Sequence, residues 1–291
     1  MAYGYYPGCS SHATAKEYDI STKKVCEKLG LELEEIGEWN CCGASPAHVT
    51  SEELSLALPF RNLVLAEKQG LDSIMSTCSA CYNRLKVADE TVRRSPETLN
   101  RIAEIVGEPY NKTLKVIHLL DLLSKEGGVE KIKENVMKPL TGLKAISYYG
   151  CLLTRPPDLV SIDPDPENPA IMEGIIEALD AESPDWSHKT ECCGASFALG
   201  RTDIVLRLSG EILKAARFAD ADCIVVACPL CYANLDMRQS QISFGHGVDY
   251  SLPILFISEL IGIAMGMGYR ELGLDKHIVS AKNLLKEKNL I

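Results

Sequence analysis

The pentapeptide Cys-Cys-Gly-Ala-Ser occurs twice in this chain, at 41–45 and again at 192–196, and each copy sits inside a longer cysteine frame. The first frame is Cys9, Cys41, Cys42, Cys78 and Cys81; the second is Cys151, Cys192, Cys193, Cys228 and Cys231. Both read Cys, a long gap, Cys-Cys-Gly, a second gap, then Cys-x-x-Cys, with gaps of 31 and 35 residues in the first frame and 40 and 34 in the second. A repeat this long is no stacked solenoid unit and implies two homologous domains. The 291 residues are enough for two separate cores. We place the domains at 1–140 and 141–291.

The repeat extends beyond sulfur. CSACYNRL (78–85) answers CPLCYANL (228–235), and VIHLLDLL (116–123) answers ILFISELI (254–261), with Asp121 and Glu259 at one equivalent place. LDSIMSTC and ADCIVVAC are short apolar, β-branched runs that end in a cysteine and lead into helical spacing. Strands also end at Cys9 (AYGYYPGC) and Cys151 (AISYYGC), and helices are predicted over 14–29, 51–69, 170–179 and 203–219. The fold class is therefore α/β: two similar cysteine-rich α/β domains related by internal duplication. In such sheets the functional crevice lies beyond the carboxyl ends of the strands, where these cysteines fall. A Cys-x-x-Cys at a helix start also gains from the free N–H groups there, which favour thiolate. Residues 124–144, with Gly127, Gly128 and Pro139, read as a polar linker. The proline-rich stretch 155–169 reads as a surface loop, neither regular helix nor central strand, that shapes the entrance to the second cysteine group.

Composition narrows the function classes. A net charge of −10 and the lack of a basic block interleaved with aromatics argue against a nucleic-acid partner. The N-terminal sequence shows no basic segment followed by an apolar one, so a cytoplasmic location is expected. The apolar stretch 252–268 carries Glu259 near its middle and has a soluble-looking counterpart in the first half; it reads as a buried strand and helix, not a membrane span. Twelve cysteines in a reducing compartment point to metal binding or catalysis rather than disulfides.

Zinc is the plain alternative for the metal, but a structural zinc site takes four ligands, and each frame here offers five with only one Cys-x-x-Cys. Adjacent cysteines turn toward one ion only with strain, whereas a polynuclear iron–sulfur core offers separate irons. A lone cysteine nucleophile fits less well, because no Cys/His pairing is visible. Gly43 and Gly194, after the tandem cysteines, mark either a tight turn or a close approach to a bulky core. Cys26 and Cys223 stand outside the frames and read as packing residues.

With these residues in view, the chain resembles the CCG-type cysteine-rich domain family, in the two-domain form of the B subunit of heterodisulfide reductase. The resemblance implies two non-cubane [4Fe-4S] clusters, one per domain, held by Cys9, Cys41, Cys42, Cys78 and Cys81 and by Cys151, Cys192, Cys193, Cys228 and Cys231. It implies reduction of the coenzyme M–coenzyme B heterodisulfide to the two thiols, one electron coming from each cluster. It also implies partners: the ferredoxin-like C subunit with cubane clusters, the flavin-containing A subunit, and through them a hydrogenase or formate dehydrogenase. Arg84, Arg155 and Arg201 are candidate cations for an anionic substrate, and His12 and His48 are candidate proton donors. Leu152-Leu153 after Cys151, where the first half has Ser10-Ser11-His12, is a departure between the two sites. The rival function is an electron-transfer iron–sulfur component of a glycolate, lactate, glycerol-phosphate or succinate dehydrogenase type complex.

Overall fold

The computed structural model describes residues 2–125 and 128–291. The first half runs β1 (Tyr3–Tyr6), α1 (Gly8–Ser11), α2 (Lys16–Lys28), β2 (Leu33–Glu35), α3 (Ala44–Thr50), α4 (Glu52–Lys68), β3 (Ser73–Ser76), α5 (Ser79–Arg94), α6 (Pro96–Val106), β4 (Lys115–His118) and α7 (Leu119–Ser124). After α8 (Gly128–Glu134) the second half runs β5 (Ala145–Tyr148), α9 (Pro157–Val160), α10 (Ile171–Ala178), α11 (Thr202–Phe218), β6 (Cys223–Val226), α12 (Pro229–Leu235), α13 (Gln239–His246), β7 (Ile254–Phe256), α14 (Ile257–Ala264) and α15 (Lys282–Glu287).

Two all-parallel sheets result, with strand orders β2-β1-β3-β4 and β5-β6-β7. Parallel strands covered by helices on both faces are buried along their length and mostly apolar, and every residue of β3, β5 and β6 is buried. The four predicted helices appear as α2, α4, α10 and α11, each within two residues of the expected ends. Ser51 caps α4 by accepting from Leu54 N, and Ser95 caps α6 in the same way ahead of Pro96.

The halves differ at the sheet edge. The counterpart of β2 is reduced to a single bridge between Lys144 and Glu182, because Pro184 follows two residues later and has no N–H for a ladder. The recurring acid has a local purpose. Asp121 Oδ2 accepts from His118 N (3.1 Å) and Glu259 Oε2 from Phe256 N (2.8 Å), so each carboxylate ties the strand end to the first turn of the following helix.

Two expectations need correction. The stretch 124–144 is no free linker: Val129, Ile132 and Val136 fall at helical spacing, α8 forms, and Ile132, Leu140 and Leu143 are buried. Gly127 lies outside the described residues. Within 155–169, Pro157–Val160 forms one helical turn, which Pro157 at its first position permits. That turn packs on α5 of the first half: Tyr82 donates its hydroxyl to Val160 O (3.0 Å), and Asn83 Nδ2 donates to Leu152 O and Arg155 O. The apolar stretch at 252–268 forms β7 and the buried α14, and among the described residues no helix is long and apolar enough to cross a membrane.

A broad seam joins the halves. Helix α2 lies against α14, with Ser21 Oγ 2.7 Å from Ser258 Oγ and the Tyr18 ring stacked on Phe256 at 4.0 Å. Beside it, His277 Nε2 meets Glu259 Oε1 at 2.7 Å, with both side chains fully buried. Burial alone would lower His277, but Glu259, with Asp236 and Glu17 beyond it, outweighs that and raises its pKa from 6.5 to about 9. The pair's stabilisation is therefore complete below pH 6.5 and is lost as pH rises through about 9. Thermal unfolding of the anaerobic protein should show this decline between those values. His277→Ala should cost about 3 kcal/mol at pH 6 and flatten the profile; a variant profile parallel to that of wild type would contradict the assignment.

Candidate metal centres at the strand ends

Each cysteine of the two frames falls just past a strand, in the first turn of the helix after it, or on a loop before a helix. Cys9 follows β1 and Cys78 follows β3; Cys151 follows β5 and Cys228 follows β6. The tandem pairs enter on the loops before α3 and before the 3₁₀ turn Ala195–Phe197. In the first site Cys41 Sγ stands 3.9 Å from Cys9 Sγ, and Cys42 Sγ 3.2 Å from Cys81 Sγ. In the second, Cys193 Sγ stands 3.7 Å from Cys231 Sγ, and Cys151 pairs with Cys192. The same pairing thus occurs twice: first cysteine with the first of the tandem, second of the tandem with the last. All are free thiols; Cys9, Cys41 and Cys192 are exposed, and Cys42, Cys78, Cys81, Cys193, Cys228 and Cys231 are buried. Among the described residues no three His, Cys, Asp or Glu side chains converge on one ion-sized position; the sulfurs stand in pairs beyond the strand ends.

The two crevices meet. Cys78 and Cys228, both buried, are hydrogen-bonding neighbours across the seam. Ser79 Oγ donates to Ala227 O (3.0 Å) beside them, and Ser45 Oγ lies 2.7 Å from Ser196 Oγ, joining the two tandem-cysteine loops.

Charge in these crevices is strongly limited. Hydrogen bonds from Cys42, Cys9 and the Gly43 N–H hold Cys41 below the usual thiol range, and Cys151 with the Gly194 N–H (3.3 Å) does the same for Cys192. Their partners move the other way: Cys41 and burial raise Cys9, Cys41 pushes Cys42 up to about 11, and Cys192 and burial raise Cys151. The helix-start effect operates at Cys228, which Cys231, Cys78 and backbone N–H groups lower. At Cys78 it is overridden, because the neighbouring Cys228 raises it. Five thiolates in one such crevice therefore need positive charge among them. The donor set suits a polynuclear metal core, and the ten frame cysteines are the residues that could hold one.

Gly43 and Gly194 take left-handed conformations (φ 81° in both), and a Cβ there would meet Ala47 and Leu58, or Val205, rather than sulfur. They are turn residues. The close approach to sulfur belongs to Gly8 and Gly150, which the sequence reading missed. Both have positive φ, and a Cβ would come within 3.1 Å of Cys81 Sγ or 2.9 Å of Cys231 Sγ. Tyr6 and Tyr148 were missed as well: their hydroxyls donate to Asn40 O (2.8 Å) and Glu191 O (2.6 Å), fixing the residue before each tandem pair. The signal was present as Tyr-x-Gly-Cys in both halves, at 6–9 and 148–151.

The other candidates separate by partner. Arg155 bonds Thr190 O and Glu167, and Arg201 pairs with Asp203 on the surface. Arg84 is half-buried near Cys42 and His48. His12 is exposed, 3.8 Å from Glu35 and edge-on to Trp39. Cys26 and Cys223 are fully buried, with thiols pushed up to about 12 by burial, as packing residues require.

The cysteine-rich domain described as CCG matches residues 3–86 and 145–236, the two segments that carry the frames. The chain belongs to the CCG cysteine-rich domain family. This CCG protein is 32% identical, over 97% of its length and 98% of the relative's, to the 8-methylmenaquinol:fumarate reductase membrane anchor subunit of Wolinella succinogenes. It is 33% identical to the B subunit of the ferredoxin/F420H2-dependent CoB-CoM heterodisulfide reductase of Methanosarcina acetivorans, over 94% of this chain and 92% of that one. A crystal structure of a hypothetical protein from Helicobacter pylori shares the fold, with a TM-score of 0.75 and 16% identity; it aligns with 96% of this chain, which spans 52% of that one.

Gly150→Ala forces a methyl group against Cys231 and strains a left-handed residue. It should lower the iron content of anaerobically prepared protein by about half, because one of the two cysteine frames is affected. Gly30→Ala is the control: it has positive φ, and a Cβ there would have no neighbour within 4 Å. Equal iron loss in both variants would contradict the close-approach reading.

Proposed function

We propose that this chain is the catalytic iron–sulfur component of a disulfide reductase, acting on the coenzyme M–coenzyme B heterodisulfide. The observation that carries the proposal is the meeting of two five-cysteine crevices at Cys78 and Cys228. A disulfide has two nearly equivalent sulfurs and takes up two electrons and two protons to give two thiols; two like sites facing one seam match that symmetry. The likeness to the heterodisulfide reductase B subunit from Methanosarcina acetivorans supports the substrate class.

In this proposal the domains 1–140 and 141–291 each hold one non-cubane [4Fe-4S] cluster through the ten frame cysteines. When bound, such a core supplies single electrons and an iron that accepts a thiolate sulfur. The chain does the rest. Tyr6, Tyr148 and the glycines at 8 and 150 fix the loops around the sulfurs. Tyr18 and Phe256, both fully buried, close the seam against water. The exposed Cys9, Cys41 and Cys192 mark its open side. No run of closely spaced cysteines of the ferredoxin kind is present in the sequence, so we assign electron delivery to partner proteins in the cytoplasm, a C subunit with cubane clusters and an A subunit with flavin.

A second reading is favoured by the Wolinella succinogenes relative: an electron-transfer component of a fumarate reductase type complex, with no disulfide substrate. The two readings part in one assay. Reduced, anaerobic protein mixed with the heterodisulfide should release two thiols per disulfide as its centres reoxidise. Reoxidation by a quinone analogue with no thiol release from the disulfide would overturn the proposal in favour of the second reading.

A further inference from the structure

Among the differences between the two sites, one is a difference of charge beside the tandem cysteines. Counting from the last cysteine of each frame, Cys81-Tyr82-Asn83-Arg84 aligns with Cys231-Tyr232-Ala233-Asn234, so Arg84 and Asn234 occupy equivalent places on α5 and α12. Asn234 is buried and engaged: its Nδ2 donates to Cys193 O at 3.2 Å and stands 3.5 Å from Cys193 Sγ. Arg84 holds the corresponding place near Cys42 in the first site. Among the described residues it has neither a carboxylate within ion-pair distance nor a hydrogen-bond acceptor, although its side chain is half-buried. Its neighbour is His48, another basic side chain, on α3.

A half-buried arginine keeps part of its hydration, and its five N–H donors and charge are better satisfied by a partner than by the water that remains. The metal-binding sulfurs do not explain it. The second frame presents the same five cysteines with a neutral amide at this place, so the charge of the sulfur set alone does not call for a cation there. Arg155 and Arg201, the other arginines close to the motifs, already hold carboxylates. Arg155 also stands near Cys192 in the second site, but it is tied to Glu167 and Thr190 O, whereas Arg84 near Cys42 has no such partner among the described residues.

We propose that Arg84 receives the acidic group of an oxyanion-bearing thiol or disulfide whose sulfur reaches the first cysteine site beside Cys42, so that the two halves of the protein take unequal ends of the substrate. The inference rests on the disulfide-reductase reading above. It makes Arg84 a specificity residue of the first site, suited to a carboxylate, sulfonate or phosphate through paired N–H donors. The second site, with Asn234 spent on Cys193, has no matching charge at this place.

The test uses the anaerobic, iron-loaded full chain and two thiols of nearly equal size, 3-mercaptopropionate and 3-mercaptopropanol, with binding read from changes in the paramagnetic signal. Wild type should bind the carboxylate thiol about ten- to a hundredfold more tightly, the value of a charge-assisted hydrogen bond. Arg84→Gln should abolish that preference at unchanged iron content, and Arg84→Lys, which keeps the charge but not the paired geometry, should retain part of it. An Arg84→Gln or Arg84→Lys protein with full iron shows whether loss of preference is separate from loss of the site. Undiminished preference in Arg84→Gln, or none in wild type, overturns the role of Arg84 while leaving the disulfide reading standing. Failure of both thiols to perturb the wild-type signal removes the disulfide reading and the role of Arg84 with it.

Discussion

Thiols crowded together and mostly buried at the strand ends cannot all give up their protons, and the architecture of this chain is arranged around that constraint. Each crevice stabilises a thiolate at the first cysteine of the tandem pair, Cys41 or Cys192, by hydrogen bonds from a neighbouring thiol and a glycine N–H. That charge raises the sulfurs around it. A metal core relieves the conflict by bringing positive charge to where the strands end and the helices begin.

The duplication gives the constraint its functional form. One such set of cysteines would make a metal site; two related sets, with Cys78 against Cys228, share a seam, and the proposed cleavage of one disulfide by both sites relies on that arrangement. The seam is held by contacts that each half cannot make alone. Tyr18 stacks on Phe256, Ser21 meets Ser258, and Asn83 bonds the loop that leaves Cys151. The proline-rich insertion, which the second half has and the first lacks, is used for this clamp. Arg155 within it reaches Thr190, two residues before the tandem cysteines.

Much of this was legible in the sequence, because strands that end in cysteine and amphipathic helices between them are local signals. The apolar runs before Cys78 and Cys228 became the buried central strands, and Asp121 and Glu259 proved to be equivalent helix-start carboxylates. Strand β2 was not legible: Leu33–Glu35 is a three-residue edge strand with exposed acids, and edge strands carry charge where the pattern of a central strand would not. Helix α8 was hidden by the charged residues between Val129, Ile132 and Val136. The functions of Tyr6, Tyr148, Gly8 and Gly150 depend on which sulfur or carbonyl the fold brings near them, and only the recurrence of Tyr-x-Gly-Cys hinted at it. The Cys78–Cys228 contact joins residues from different halves and leaves no mark in either.

The proposed function requires a multi-iron core at each set of five cysteines. The most direct measurement is the iron, acid-labile sulfide and zinc content of anaerobically purified protein. About eight iron and a comparable amount of sulfide per chain, with zinc near zero, is the predicted result. One zinc per half without sulfide would contradict it, leaving one thiol of each frame without a metal.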